Sequence, residues 1–97
     1  MHRIVLARRA ERDLRQIGSR DMLARIGQAL DDLATGGTDL DIRPLVGSPP
    51  WHRLRVGDYR VLYRPVAPDE AMSAEAGWLI ARIVHRRDLG RAVGALG

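Results

Sequence analysis

The chain contains no cysteine, no lysine and no phenylalanine. The first absence excludes disulfides and thiolate metal ligands. The second leaves all 16 Lys-or-Arg positions as arginine. A guanidinium group binds phosphate bidentately and essentially never loses its proton. Such side chains suit clamping an anion and stabilising developing negative charge, and they are poor proton acceptors. A GC-rich coding sequence accounts for the same bias with no function attached. The third absence makes Leu, Ile and Val the main core material within a 45% hydrophobic composition. No apolar run approaches the roughly 20 residues of a membrane span. The stretch Ile4 to Ala7, followed at once by Arg8, is too short for a signal peptide. A cytoplasmic protein with no membrane partner is therefore expected. Three scattered histidines without matching carboxylate spacing make a weak ligand set, so no metal is expected. There is no Gly-rich phosphate loop and no nucleophile elbow, and no cofactor is implied.

What is present fits a single domain spanning the 97 residues, with no repeat and no internal boundary. The net charge of +4 and the pI near 10.9 favour polyanionic partners. Arg3 to Ala7 reads as an opening strand. A helix is predicted from Arg8 to Ile17, with Ala10, Leu14 and Ile17 at helical spacing and Gly18 as its cap. Ser19 then caps a second helix striped by Leu23, Ile26, Leu30 and Leu33, ended by the Thr35 to Thr38 cluster. Leu40 to Pro50 connects, with room for a short strand around Ile42 to Leu45. Trp51 to Val56 and Tyr59 to Arg64 alternate as two strands. Pro65 to Ala76 reads as a loop, Trp78 to Val84 as a last strand, and Asp88 to Leu96 as a short C-terminal helix. The order β-α-α-β-β-β-α predicts an α+β fold: an antiparallel sheet of about four strands, with the helical hairpin packed on one face.

The hairpin carries the functional signal. Glycine first in the two-residue loop Gly57-Asp58 suits a type II′ turn, which sets the register. Val56 then faces Tyr59, Arg55 faces Arg60, Leu54 faces Val61, Arg53 faces Leu62, and Trp51 faces Arg64. Leu54, Val56, Tyr59, Val61 and Tyr63 share the core side with His52. Trp51, Arg53, Arg55, Arg60, Leu62 and Arg64 share the other. Like charges directly opposed across strands are destabilising. Their presence where Thr, Glu or Gln would serve a neutral surface points to an anion site. The plain alternative is a solvated face, its excess charge neutralised by an acidic residue such as Asp41 or Asp69. After the last strand, Arg86 or Arg87 can reach the same surface. Arg82 lies on the strand itself, and Trp51 is a candidate for stacking on a base.

These residues resemble the RelE/ParE superfamily of bacterial toxins from toxin–antitoxin pairs. The resemblance runs through the opening strand, the helical hairpin with Arg12-Asp13-Leu14, and Pro44-Leu45-Val46-Gly47. It is strongest over Trp51 to Arg64, and ends in His85-Arg86-Arg87-Asp88-Leu89. It implies one RelE-like toxin domain. RelE-like members are ribosome-dependent endoribonucleases that cut mRNA in the A site; ParE-like members poison DNA gyrase and usually have a longer helical hairpin. The short hairpin here favours RelE. Carried over residue by residue, the RelE pattern makes Arg53 and Arg55 basic catalytic residues, with Arg60 and Arg86 as phosphate-stabilising arginines.

Metal-free RNA cleavage by the substrate's own 2′-OH needs a proton acceptor, stabilisation of the phosphorane oxygens, and a donor to the leaving 5′-oxygen. Arg55 and Arg60 fit the middle role, with Arg86 closing the site. His85 is the preferred proton-transfer candidate, ahead of His52 and Asp88. Trp51, Arg64, Arg82 and Arg87 are candidate RNA contacts. The implied partners are mRNA, the 30S A site of the ribosome, and a RelB-like antitoxin whose acidic, partly disordered segment covers the arginine face. Gly90 stands where many RelE members carry a tyrosine that contributes stacking or proton transfer. That departure leaves two alternatives open: a ParE-like gyrase inhibitor, and a non-catalytic member that only binds its antitoxin.

Overall fold

The computed structural model describes residues 2–66 and 76–96. Strand β1 spans Arg3–Leu6, helix α1 Arg8–Arg15 and helix α2 Arg20–Thr35. Strands β2 (Asp41–Pro44), β3 (His52–Val56), β4 (Tyr59–Pro65) and β5 (Gly77–His85) follow. A 3-10 turn, Arg86–Asp88, leads into helix α3, Leu89–Gly94. The Pro65 to Ala76 loop expected from the sequence falls mostly outside the described residues, as does Asp69.

Helix α1 is two residues shorter than its apolar spacing predicts. The Gln16 and Ile17 N–H groups close onto the carbonyls of Asp13 and Leu14, tightening the last turn. Gln16, not Gly18, is its cap. Helix α2 starts as expected, with the Ser19 hydroxyl accepting from the Met22 N–H at 3.1 Å. It ends at Gly36, whose φ of +78° lets the Gly37 N–H reach the Asp32 carbonyl at 2.7 Å.

The sheet has five strands in the order β1-β5-β4-β3-β2, and it is mixed rather than wholly antiparallel. Strand β1 lies parallel to β5, pairing Arg3 with Gly77 and Leu6 with Ile80. No local pattern announces a pairing between segments more than seventy residues apart. The fifth strand, β2, is the short segment near Ile42: it pairs antiparallel with β3, placing Asp41 opposite Arg55.

Two cores form, one on each face. Ile26, Ala29, Leu30 and Leu33 of α2, with Ala10 of α1, pack on Leu54, Val56, Val61, Tyr63, Ile80 and Ile83. On the opposite face α3 brings Ala92 and Val93 against Leu62 and Val84, with Leu45, Leu89 and Leu96 at the margin. Leu62 is fully buried there. Burying a side chain of this kind stabilises by about 1.5–3 kcal/mol. The helices therefore occupy both faces, and α3 covers only the part of its face over β4 and β5.

The seam between α1 and β5 is polar. Beyond Ile80, β5 has no strand on the β1 side, because the chain has turned into α1. Asp13, only 6% exposed, fills the gap. Its Oδ2 accepts from the Ile83 N–H at 2.9 Å and from Arg82 Nε at 2.9 Å, and its Oδ1 from Arg82 Nη2 at 3.3 Å. One carboxylate thus pairs a strand-edge donor and neutralises an arginine beneath α1.

Candidate nucleic-acid interface

Register turns the alternation of the strands into rows. On the face opposite α1 and α2, Asp41, Arg55, Arg60 and Val84 are successive cross-strand partners. Arg43, Arg53, Leu62 and Arg82 form the next row. Arg55 and Arg60 are directly opposed, as the two-residue turn requires. Gly57 has φ +57°, and a Cβ on it would lie 3.0 Å from both Arg25 Nη1 and Met22 Cε. The positive φ favours glycine at the turn, and any Cβ there would also push the tips of Arg25 and Met22 aside.

Arg60 is the centre of the cluster. Its Nη1 donates to the carbonyls of Gly57 at 2.9 Å and Tyr59 at 3.0 Å, which folds the half-buried guanidinium back over the turn. Its pKa lies below the ordinary arginine value, first through desolvation and then through Arg55, Arg53 and Arg86, with Asp41 opposing. The group remains charged at neutral pH, because arginine starts so high. Four cations therefore bear on one point, a repulsion that an anion relieves. Arg53 adds to it: its Nη1 is buried and finds no hydrogen-bond acceptor among the described residues, with Asp41 Oδ1 at 3.8 Å. Arg86 joins from the C-terminal turn, where its N–H donates to the Asp58 carbonyl at 2.7 Å and its Nε lies 3.8 Å from Asp58 Oδ1.

Other residues singled out from the sequence are placed differently. Arg82 points to Asp13 and is tied up in that ion pair, so it serves the α1–β5 seam instead of standing open to RNA. Trp51 is half-buried, with the Arg64 guanidinium 5.6 Å from its ring centroid; its face meets a cation of its own chain. His85 caps the 3-10 turn: its Nδ1 accepts from the Arg87 N–H at 3.2 Å. While that bond holds, the neutral ring carries its proton on Nε2 and presents a donor. His52 lies on the core side, its Nδ1 3.0 Å from the Pro50 carbonyl and its ring stacked 5.6 Å from Tyr63. Arg87 is exposed beside the turn.

One member of the face follows from pairing alone, and pairing also fixes the place of an acid the sequence offered as a neutralising charge. Arg43 joins the row of Arg53, and Asp41 is the counter-charge beside Arg55. Their alternation, Asp41-Ile42-Arg43, becomes informative once the segment is known to be a strand. Among the described residues no three His, Asp or Glu side chains gather as a metal site, and no helix is long and apolar enough to cross a membrane. The arrangement can hold a phosphate and stabilise negative charge growing on it. It contains little to move a proton.

The fold, a small α+β domain with a helical hairpin on one face of a mixed sheet, is shared with chains of solved toxin–antitoxin complexes. The structure superposes on the RelB–RelE antitoxin–toxin complex from Methanococcus jannaschii with a TM-score of 0.69 at 21% identity, over 91% of this chain and 96% of that one. For the archaeal RelE–RelB complex from Pyrococcus horikoshii OT3 the TM-score is 0.65 at 21% identity, over 88% and 94%. For the RelBE2 toxin–antitoxin complex from Mycobacterium tuberculosis it is 0.65 at 26% identity, over 88% and 98%. No curated protein sequence matches. The family model for the ParE toxin of the type II toxin–antitoxin system, parDE, matches residues 4–90. The chain belongs to that toxin family, within the RelE/ParE superfamily.

Proposed function

We propose that this toxin is a ribosome-dependent endoribonuclease that cuts mRNA in the A site. The observation that carries the reading is the opposed pair Arg55 and Arg60, with Arg53 and Arg86 bearing on Arg60. In the proposed reaction the 2′-oxygen forms a bond to the adjacent phosphorus and the bond from phosphorus to the 5′-oxygen breaks. The 2′-OH gives up its proton to an acceptor, and the leaving 5′-oxygen gains one. Arg55 and Arg60 clamp the non-bridging oxygens and stabilise their growing charge, and Arg86 closes over them. None of these guanidinium groups accepts the proton. His85, its Nδ1 engaged at the turn, presents a donor, so the ribosome must orient the RNA and supply part of the proton transfer. A cognate antitoxin with an acidic segment is the partner proposed to cover this face.

The test is primer extension on a defined mRNA bound to 70S ribosomes, beside a ribosome-free control. Cleavage at the A-site codon on ribosomes alone is expected. Intact mRNA in the presence of folded protein sinks the proposal. The ParE family match and Gly90 favour a second reading, a gyrase poison. In that case mRNA stays intact and gyrase supercoiling falls instead.

A further inference from the structure

Away from the hairpin, α1, β5 and the C-terminal turn enclose a cleft of about 440 Å³. Arginines line it on three sides: Arg9 of α1, Arg82 of β5, whose guanidinium is held by Asp13, and Arg87 and Arg91 of the C-terminal segment. Asp13 is already committed, to Arg82 and the Ile83 N–H, and lies 3.9 Å from Arg9. Arg87 and Arg91 are exposed and carry no ion pair among the described residues. Tyr59 and His85 also border the cleft, and the cap on His85 Nδ1 leaves that ring a donor. The lining therefore sets four arginines against two carboxylates, Asp13 and the exposed Asp88, and its volume is within the range of small-molecule sites.

We propose that this cleft is a second phosphate site, taking a phosphate of the same RNA strand whose scissile phosphate lies on the hairpin. The proposal rests on the reading of the hairpin as an RNA interface. Continuity of charge favours a nucleic acid over an acidic protein segment. Arg86 bears on Arg60 and the hairpin cluster, whereas its neighbour Arg87 lines the cleft. Successive residues thus hand the basic surface from one site to the other, around the turn that His85 caps. A backbone with a charge at every nucleotide meets both sites in passing.

The experiment is the binding of a fluorescein-labelled single-stranded oligoribonucleotide, followed by anisotropy at a series of salt concentrations. Three proteins are compared with the parent: R87Q/R91Q, R87K/R91K and R55Q/R60Q, each checked by its melting temperature. Removing two phosphate contacts lowers the logarithmic salt slope by about 1.4 and weakens binding by about three- to tenfold. R87Q/R91Q is expected to show both effects, and R87K/R91K, which keeps the charges, to show little of either. Inorganic phosphate should compete more weakly in R87Q/R91Q than in the parent. If R87Q/R91Q binds as the parent does while R55Q/R60Q does not, the cleft proposal is overturned and the hairpin reading stands. If neither variant changes binding, both fall. If R87Q/R91Q loses a poly-glutamate peptide and keeps its RNA, the cleft belongs to an acidic protein segment and the proposal is again overturned.

Discussion

Replacing Asp13 by alanine tests the seam that positions α1 against the sheet. Asp13 is 6% exposed and accepts three hydrogen bonds, two from Arg82 and one from the Ile83 N–H. Its removal orphans a buried strand N–H, a loss of about 1–3 kcal/mol. It also strands the Arg82 guanidinium, whose side chain is only 21% exposed. Breaking one partner out of a buried ion pair costs about 3–5 kcal/mol. The donors differ but share one carboxylate, and the cost of removing a buried ion-pair partner already includes the loss of its other bonds, so the expected total is about 3–5 kcal/mol. Small domains are stable by about 5–15 kcal/mol, so the change consumes about a fifth or more of the total. For a domain of this size the melting temperature should fall by about 12–40 °C. Urea unfolding followed through Trp51 and Trp78 fluorescence measures it directly. Asp13→Leu combined with Arg82→Leu should recover only the ion-pair share, since no buried charge remains but the Ile83 N–H still lacks its acceptor, a residual cost of about 1–3 kcal/mol. An Asp13→Ala protein within about 1 kcal/mol of the parent would refute the account of the seam.

Arg55→Thr removes both a like charge opposite Arg60 and the counter-charge of Asp41. Stability should therefore change by no more than a few tenths of a kcal/mol while RNA affinity falls; unchanged affinity contradicts the anion-site reading. Leu62→Ala should cost about 2–5 kcal/mol and expose the amides of α3 to hydrogen exchange, because Leu62 is the floor beneath that helix. Burial raises the folded-state pKa of the Tyr63 hydroxyl above its ordinary 10.0. The unfolded chain therefore ionises first. Stability from this group is intact below pH 10 and is lost as the pH rises from there through the folded-state pKa. Tyr63→Phe should remove that alkaline loss, which urea unfolding as a function of pH will show. Gly90 has no atom within 4 Å of where its Cβ would lie, so Gly90→Tyr should fold normally. Under the nuclease reading it should raise A-site cleavage, and equal cleavage by the two proteins would separate that position from the chemistry.

The local elements were legible in the sequence because local rules make them. The stripe from Leu23 to Leu33 marks α2, Ser19 its start, and the pair Gly57-Asp58 the hairpin and its register. From that register alone Arg55 faces Arg60, and the core side of β3 and β4 separates from the charged side. Chain-distant pairings had no such signal. The parallel contact of β1 with β5 joins segments more than seventy residues apart, and periodicity within either strand does not name its neighbour. The same reason hid Arg43 from the site and left Asp41 without a place in it, since a four-residue strand becomes a face only when β3 lies beside it. Charge type is written in the sequence, whereas partnership is decided by packing. Arg82 looked like an RNA contact until α1 brought Asp13 beneath it, and the turn gave the ring of His85 a backbone N–H to accept. Composition made this protein rich in arginine and basic overall; tertiary contacts decided which arginines face outward and which are already paired.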